Sequence, residues 1–474
     1  MVDRTPSAED AESASLNSDA CCGASPWVSW LVILASLVGI ILLARLGPEA
    51  EADVSESVSE EAVTPANPAD QANFVVLQIQ AKTLIASDRF DPDSSAASLK
   101  TLLAQSGTAE SRAALILLID FLEKNGAFDE LDLTGTTGKA EWSGLFEKAR
   151  AEGLSEEERD ELAVHLGWFA NLPMAEDGEP TPYLDEIKRE SYFTAGVTIA
   201  LTLVLFLAVL VGILLLVYYF IFMPMSGRPR DRFSREQLPR AILLECFAVY
   251  LGVAALSEWI GYLFYPPIGM AGFILAIFLP IFWPWIRRSN FRLTRRSAGW
   301  HLGAGFWKEV GAGVIGYVAM LPIAAVGVAI MLIVILLAGV MSASGAPSEG
   351  GATAGGMPQP NAHPIVVWIS EGGWLLRLLC FFLAAVVAPV SEELLFRGAL
   401  HRWLRGRLGF FVSAVIGGLI FAALHPQGLL AIPALGGIAV GLALIREWRD
   451  SLIAPMVAHA INNGVLVLLL CLLL

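Results

Sequence analysis

The sequence AGVTIALTLVLFLAVLVGILLLVYYFIFM, residues 195–223, has no charged side chain. It is longer than the ~20 residues that an α-helix needs to cross a bilayer. Similar runs recur along the chain, and hydrophobic residues make up 55% of it. Because only helices and closed barrels satisfy their backbone hydrogen bonds within lipid, such runs predict helices. The expected fold class is therefore an all-α polytopic membrane protein.

About nine transmembrane helices are predicted, with a soluble helical insert between the first and the second. The predicted spans are residues 27–46, 195–223, 241–264, 268–286, 312–341, 366–403, 410–424, 429–445 and 452–474. The first run follows an acidic segment without a positively charged n-region, which favours an uncleaved anchor. The expected division is an acidic tail (1–26), an anchor (27–46), a soluble acidic domain (47–191), helices with basic loops (192–365) and a C-terminal membrane core (366–474).

Charge is divided unevenly and predicts the orientation. Residues 1–192 hold 13 Lys/Arg against 35 Asp/Glu, whereas residues 193–474 hold 18 against 11. Four arginine clusters, within residues 228–240, 287–296, 402–407 and 446–449, fall on one side of the nine-span arrangement. The positive-inside rule assigns that side to the cytoplasm, so the N-terminus is predicted to be cytoplasmic and the acidic domain extracytoplasmic. An acidic soluble part argues against a nucleic-acid partner.

The soluble insert has helical patterns but no group of residues that suggests chemistry. Amphipathic periodicity predicts helices over Asn73–Ile85, Ala109–Lys124 and Ser155–Trp168. Ser155 and Glu158 have the spacing of a capping box. We expect an adaptor or docking domain with an unknown partner.

The best indication of function is a set of ionisable residues in the C-terminal apolar stretches, where such groups usually mark an ion path or a catalytic site. Glu393 and Arg397 are four residues apart, so on a helix they share a face and can neutralise each other. Glu392 points about 100° away. It is left free to face a cavity and to exchange a proton. The alternative is that all three residues only anchor one end of a helix.

Two histidines follow the glutamates. His425 ends an apolar run before Pro426, where a hydrogen-bonded helix terminus is the simple interpretation. His459 and Asn463 are again four apart in the last span, as catalytic groups or as a polar pair that holds helices together. At a rise of ~1.5 Å per residue, Glu392 and His459 lie about 15 and 13 Å from the arginine boundary, but His425 about 25 Å.

Three short motifs in this order resemble those of the CPBP family of CAAX-processing and bacteriocin-processing (Abi-type) intramembrane proteases. They are Glu392-Glu393-x-x-x-Arg397, Phe421-x-x-x-His425 and His459-x-x-x-Asn463. The resemblance covers residues 366–474. It includes neither the acidic insert nor the first anchor.

The resemblance implies a glutamate protease with its site in a cavity open to the cytoplasm. Glu392 would activate water with help from His425, while His459 and Asn463 would stabilise the oxyanion. Glu393 and Arg397 would position Glu392. A three-ligand zinc site of Glu392, His425 and His459 is the alternative. We favour the reading without a cofactor, because His-Glu-x-x-His is absent and because it also explains Asn463.

Three functions therefore stay open. The first is an intramembrane endopeptidase acting on a membrane-associated peptide or protein. The second is an inactive scaffold or immunity-type protein whose acidic domain binds a partner. The third is a proton-coupled transporter, which the lack of an internal repeat disfavours. Many arginines, few lysines in the membrane part and an alanine-rich soluble part suit a bacterial inner membrane.

Overall fold

The computed structural model describes residues 26–57, 68–88, 90, 92–105, 108–122, 142–151, 153–175, 181–222, 241–264, 266–343, 363 and 365–473. All regular elements in these ranges are helical, and they include no β-strand. The predicted all-α polytopic class is therefore confirmed. Residues 1–25 of the predicted tail, the arginines between 228 and 240 and most of the linker over 342–364 lie outside the described residues.

Sixteen helices follow one another along the described ranges. The first six are α1 (Pro26–Ser57), α2 (Pro68–Asp88), α3 (Pro92–Gln105), α4 (Ala109–Leu122), α5 (Ser143–Ala151) and α6 (Glu156–Leu166). Next come α7 (Pro182–Val217, followed by a π turn at Tyr218–Phe222), α8 (Ile242–Leu263), α9 (Pro266–Ile286), α10 (Phe291–Ala298) and α11 (Phe306–Ala343). The last five are α12 (Ile365–Glu371), α13 (Trp374–Arg405), α14 (Phe410–Ala423), α15 (Leu429–Arg449) and α16 (Ile453–Leu473).

Six described helices are long and apolar enough to span a membrane: α7, α8, α11, α13, α15 and α16. Three shorter apolar stretches lie in α1, α9 and α14. These segments occur in the order and at the places of the predicted spans. One difference is that the run over 366–403 is split, because the helix stops at Gly372 and Gly373. A side chain at Gly372 would collide with the carbonyl oxygen of Trp368, so the break needs glycine.

The helices between α1 and α7, which we call the soluble domain after the prediction above, pack around α4. Residues 113–119 of this helix are all buried, as expected for a helix that is apolar on every side. Phe146, Leu162 and Phe169 from the following segments complete the core. The predicted capping box is confirmed, since the Ser155 side chain accepts from the Glu158 backbone N–H and the Glu158 side chain accepts from that of Ser155.

The two ends of the membrane bundle differ. At one end the soluble domain rests on it, with Val75 of α2 against Val366 and Val367 of α12. At the other end Trp30 meets Trp403, with ring centroids 5.6 Å apart. The described arginine clusters converge at this second end, which we call the arginine end: residues from 292–296, Arg402 and Arg449 line one cavity there. Its identity with the cytoplasmic face stays a prediction, as does the five-part division of the chain.

Candidate active site

Helix α13 is irregular where it carries the glutamates. The α-helical turn Ala388–Glu393 lies between two π-helical segments, Leu383–Val387 and Leu394–His401. Pro389 explains part of this, because proline has no N–H and cannot continue the normal ladder. π-Bulges within long helices are frequent at functional sites. Both glutamates thus lie where the backbone departs from a regular helix.

Asn463 repairs the backbone that Pro389 disturbs. In the first π segment the Ala388 N–H donates to the Leu383 carbonyl, five residues back. The next donor would be residue 389 to the Ala384 carbonyl, and proline cannot supply it. The Asn463 side chain on α16 instead donates to that carbonyl at 3.0 Å. Asn463 therefore holds α16 to α13, as the helix-holding alternative from the sequence expected, although the Ala384 carbonyl as its acceptor was not predicted.

Glu393 and Arg397 form the predicted ion pair, with an N–O distance of 2.9 Å and side chains 0% and 3% exposed. Arg397 also donates to the Ala439 carbonyl of α15 at 3.1 Å. Its guanidinium lies 5.0 Å from the ring centroid of Phe421 on α14. The ion pair thus compensates a buried charge, and Arg397 connects α13 with α14 and α15.

His459 connects the two glutamates. Its Nδ1 lies 2.9 Å from Glu393 Oε1, and its Nε2 lies 3.7 Å from Glu392 Oε2. Because Glu393 Oε1 also accepts from Arg397, we assign Nδ1 as the donor to Glu393, which turns Nε2 toward Glu392. The 3.7 Å between Nε2 and Glu392 Oε2 is too long for a direct hydrogen bond. A bridging water fits this arrangement.

Glu392 differs from its neighbour as predicted. Its side chain is 25% exposed, whereas that of Glu393 is fully buried. Within the described part of the chain, Glu392 Oε2 is buried and has no hydrogen-bond partner. A buried carboxylate oxygen requires a donor, so this atom is suited to hold a water or a substrate N–H.

His425 lies beside the site but does not contact the glutamates. Its Nδ1 is 2.8 Å from the Phe421 carbonyl, and its ring centroid is 4.4 Å from that of Phe421. Phe421 in turn lies 6.0 Å from His459. Among the described residues, no hydrogen bond or ion pair joins His425 to either glutamate. The simple helix-terminus interpretation therefore describes its present contacts.

The antiparallel course of α13 and α14 brings His425 nearer to Glu392 than the residue count suggested. Phe421 is level with Arg397. Both His425 and Glu393 lie one helical turn further from the arginine end.

The proposed zinc ligands Glu392, His425 and His459 do not converge on one point that could hold a metal ion. No group of three His, Cys, Asp or Glu in the described ranges could hold a metal ion, so the geometry does not support the zinc alternative.

The contact between Glu393 and His459 and the central position of Phe421 were not predicted. Both depend on packing between distant segments, for which the sequence offers only the Phe421-x-x-x-His425 motif.

Three further buried carboxylates near the arginine end were also not singled out. They pair across helices as Glu245 with Arg287, Glu309 with Arg449, and Glu447 with Arg405 and His401. An acidic residue in an apolar run was the available signal for Glu245, whereas Glu309 and Glu447 lie beside basic residues and gave no such signal.

Comparisons with known proteins concern this C-terminal region. Residues 374–465 match the family model described as type II CAAX prenyl endopeptidase Rce1-like. The membrane-embedded CAAX protease MroQ of Staphylococcus aureus (strain USA300) is 26% identical over 115 residues, which are 23% of this chain and 44% of that protein. This chain thus spans less than half of the length of that relative. No solved structure gives a significant match.

Proposed function

We propose that this protein, which belongs to the CPBP family through its C-terminal membrane region, is an intramembrane endopeptidase that uses Glu392 to activate water. The single observation that carries the proposal is the placement of Glu392 Oε2 opposite His459 Nε2, 3.7 Å apart. The family match and the membrane helices support a membrane protease in general terms. The catalytic roles below are our proposal.

Glu392 is the general base. It takes a proton from water as the water oxygen attacks the carbonyl carbon of the scissile peptide bond. A tetrahedral intermediate with a negatively charged oxygen results. Glu392 then returns the proton to the amide nitrogen as the C–N bond breaks, which leaves a carboxylic acid and an amine.

His459 orients the water and stabilises charge. Glu393 accepts from Nδ1 and so keeps Nε2 turned toward Glu392, while Arg397 holds Glu393 in place through their ion pair. Glu393 and Arg397 are positioning residues in this scheme. Both act on Glu392 through the helix, and Glu393 also acts on His459 through its hydrogen bond.

Asn463 has a shared role. A carboxamide has two N–H donors, and one of them satisfies the Ala384 carbonyl. We assign the other to the oxyanion. The ring of Phe421 lies between His425 and His459. His425 would assist proton transfer only after substrate binding brings it to Glu392.

We extend the proposal to a bacterial inner membrane, a cytoplasmic N-terminus and a membrane-associated peptide or protein substrate. The charge distribution and the bacterial relative support the location. The names of the matched family and relative refer to CAAX substrates, and a prenylated substrate is not part of this proposal. The soluble domain, which rests on α12, would present or select the substrate or another partner.

The test is cleavage of a membrane-embedded reporter peptide library by the purified full-length protein, with and without a metal chelator. Glu392→Gln is compared with Glu258→Gln, which removes the charge of an exposed carboxylate on α8. We expect Glu392→Gln to lose roughly 10²–10⁴-fold in rate and Glu258→Gln to match the wild type. Full activity of Glu392→Gln would refute the proposal. Loss with chelator and rescue by zinc would instead restore the three-ligand zinc hypothesis.

One observation favours the inactive scaffold as a second candidate. Asn463 already has a purely structural partner in the Ala384 carbonyl, as helix glue requires. The scaffold hypothesis predicts that Glu392→Gln has no phenotype in cells, whereas Asn463→Ala destabilises the fold. Measuring both variants in cells and by thermal unfolding separates the two candidates.

A further inference from the structure

Two adjoining cavities lie at the arginine end, outside the proposed active site. The first, of about 730 Å³, is lined by five arginines and only two acidic residues. The second, of about 500 Å³, is lined almost entirely by apolar side chains. Arg295, His301 and Leu302 line both cavities, so the two form a continuous surface with a charged part and an apolar part.

The positive charge of the first cavity is not compensated by the acidic residues in its wall. Glu309 is bound by Arg449 at 2.7 Å, and Asp450 by Arg446 at 3.0 Å. Burial, together with the charges of Arg446 and Arg296, lowers the pKa of His301 against the opposing effect of Asp450, so His301 is neutral at neutral pH. The net positive charge therefore comes from arginines.

Three of these arginines belong to the short helix α10. Arg292, Arg295 and Arg296 have the i, i+3, i+4 spacing that places side chains on one face of a helix. All three are exposed, and no described residue forms a hydrogen bond or an ion pair with their side chains. The opposite face of α10 is buried through Thr294 and Ala298. Amphipathic helices with such a basic face lie at membrane surfaces and attract anionic headgroups.

The second cavity has the apolar lining that an acyl chain requires. Its apolar side chains are Trp300, Leu302, Phe306, Leu452, Ile453 and Met456. Trp300 and Phe306 are partly exposed, as is neighbouring Trp307, and aromatic residues are enriched at the level of lipid headgroups. A phosphate bound in the first cavity would thus lie beside the apolar second cavity, which would hold the acyl chain of the same lipid.

We propose that these two cavities form a binding site for one anionic phospholipid, with its phosphate among the α10 arginines and an acyl chain against the start of α16. The inference rests on the complementarity between the arginines and a phosphate, and on the residues that line both cavities. It is independent of the proposed catalytic function. The site also adjoins both helices of the candidate active site, because Arg402 lies in the last turn of α13 and Met456 precedes His459 by three residues on α16.

Lipid binding is measured on the full-length protein in neutral detergent by native mass spectrometry. The probes are phosphatidylglycerol, phosphatidylcholine with the same chains, and inorganic phosphate as a competitor. We expect phosphatidylglycerol to bind at least tenfold more tightly than phosphatidylcholine. The triple variant Arg292→Gln, Arg295→Gln, Arg296→Gln should lose this preference. Its affinity for phosphatidylglycerol should fall roughly fivefold for each arginine removed.

The matched control removes three exposed charges away from the arginine end, through Arg150→Gln, Lys188→Gln and Arg189→Gln, and should bind as the wild type does. A thermal unfolding curve checks that both triple variants are folded. Equal affinity for the two lipids, or equal loss in both triple variants, would overturn the proposal. Competition by inorganic phosphate at the same molar concentration as phosphatidylglycerol would assign the site to free phosphate and also overturn it.

Discussion

The soluble domain and the C-terminal membrane core both contain ion pairs, but the pairs are exposed in one region and buried in the other. In the soluble domain Arg150 and Asp120 are 2.6 Å apart with side chains 29% and 24% exposed. In the membrane core Arg397 and Glu393 are 2.9 Å apart and 3% and 0% exposed. An exposed pair gains little because water screens it. A buried pair cannot lose one member without leaving an uncompensated charge.

The difference indicates where function lies. A buried charge is retained in an apolar core only where pairing or chemistry compensates its desolvation. In the membrane core, Glu245, Glu309 and Glu447 are paired near the arginine end, and a separate group of ionisable residues lies at Glu392 and Glu393. The soluble domain instead has an apolar core, and among its described charged residues only Lys82, paired with Glu190 at 3.0 Å, is buried. We therefore expect substitutions of similar chemistry to have unequal consequences in the two regions.

The largest effect is expected from Arg397→Met. This variant leaves Glu393 buried without its cation, which should destabilise the protein by about 3–5 kcal/mol. Chemical unfolding in detergent measures it. A loss below about 1 kcal/mol would mean that the pair behaves as an exposed one.

The next effect is expected from Glu393→Gln, which preserves shape but removes the carboxylate that orients His459. We expect the cleavage rate to fall roughly 10–100-fold, as for other residues that orient a catalytic or ligating histidine. Because the change alters the His459 environment, the pH–rate profile should also shift. An unchanged profile with unchanged rate would show that Glu393 serves the helix alone.

A much smaller effect is expected from Arg150→Met in the soluble domain. Removing this partly exposed partner of Asp120 should cost about 0–1 kcal/mol. Cleavage should match the wild type. A loss as large as that of Arg397→Met would contradict the distinction between the two regions.

The smallest effect concerns pH and Glu158 at the start of α6. Hydrogen bonds from Lys148, and from the backbone and side chain of Ser155, lower the pKa of Glu158 from 4.5 to about 2. Since the folded-state pKa is depressed, this contribution to stability is complete above about pH 4.5 and is lost as the pH falls toward about 2. The difference in thermal unfolding between wild type and Glu158→Gln should thus be smaller at about pH 3 than at about pH 6. A difference independent of pH would contradict this origin.

Local patterns predicted much of the molecule. Long uncharged runs were sufficient for the spans, and i, i+3 or i, i+4 spacing predicted both the Ser155–Glu158 box and the Glu393–Arg397 pair. The π segments around Pro389 were not predicted, because their stability depends on Asn463 from a helix that is distant in sequence. The contact between His459 and Glu393 joins residues 66 apart, so no local pattern encodes it. His425 was expected to assist Glu392, but its described contacts are with Phe421, and this packing between helices is not encoded in the local sequence.

The central claim is that Glu392 and His459 act as one catalytic unit. The most direct test is the single-turnover cleavage rate of wild type, Glu392→Gln, His459→Ala and the double variant on one membrane-embedded reporter. We predict that each single variant loses roughly 10²–10⁴-fold and that the double variant is no more than about tenfold slower than the worse single one. Losses that multiply, or single variants with wild-type rates, would contradict the claim.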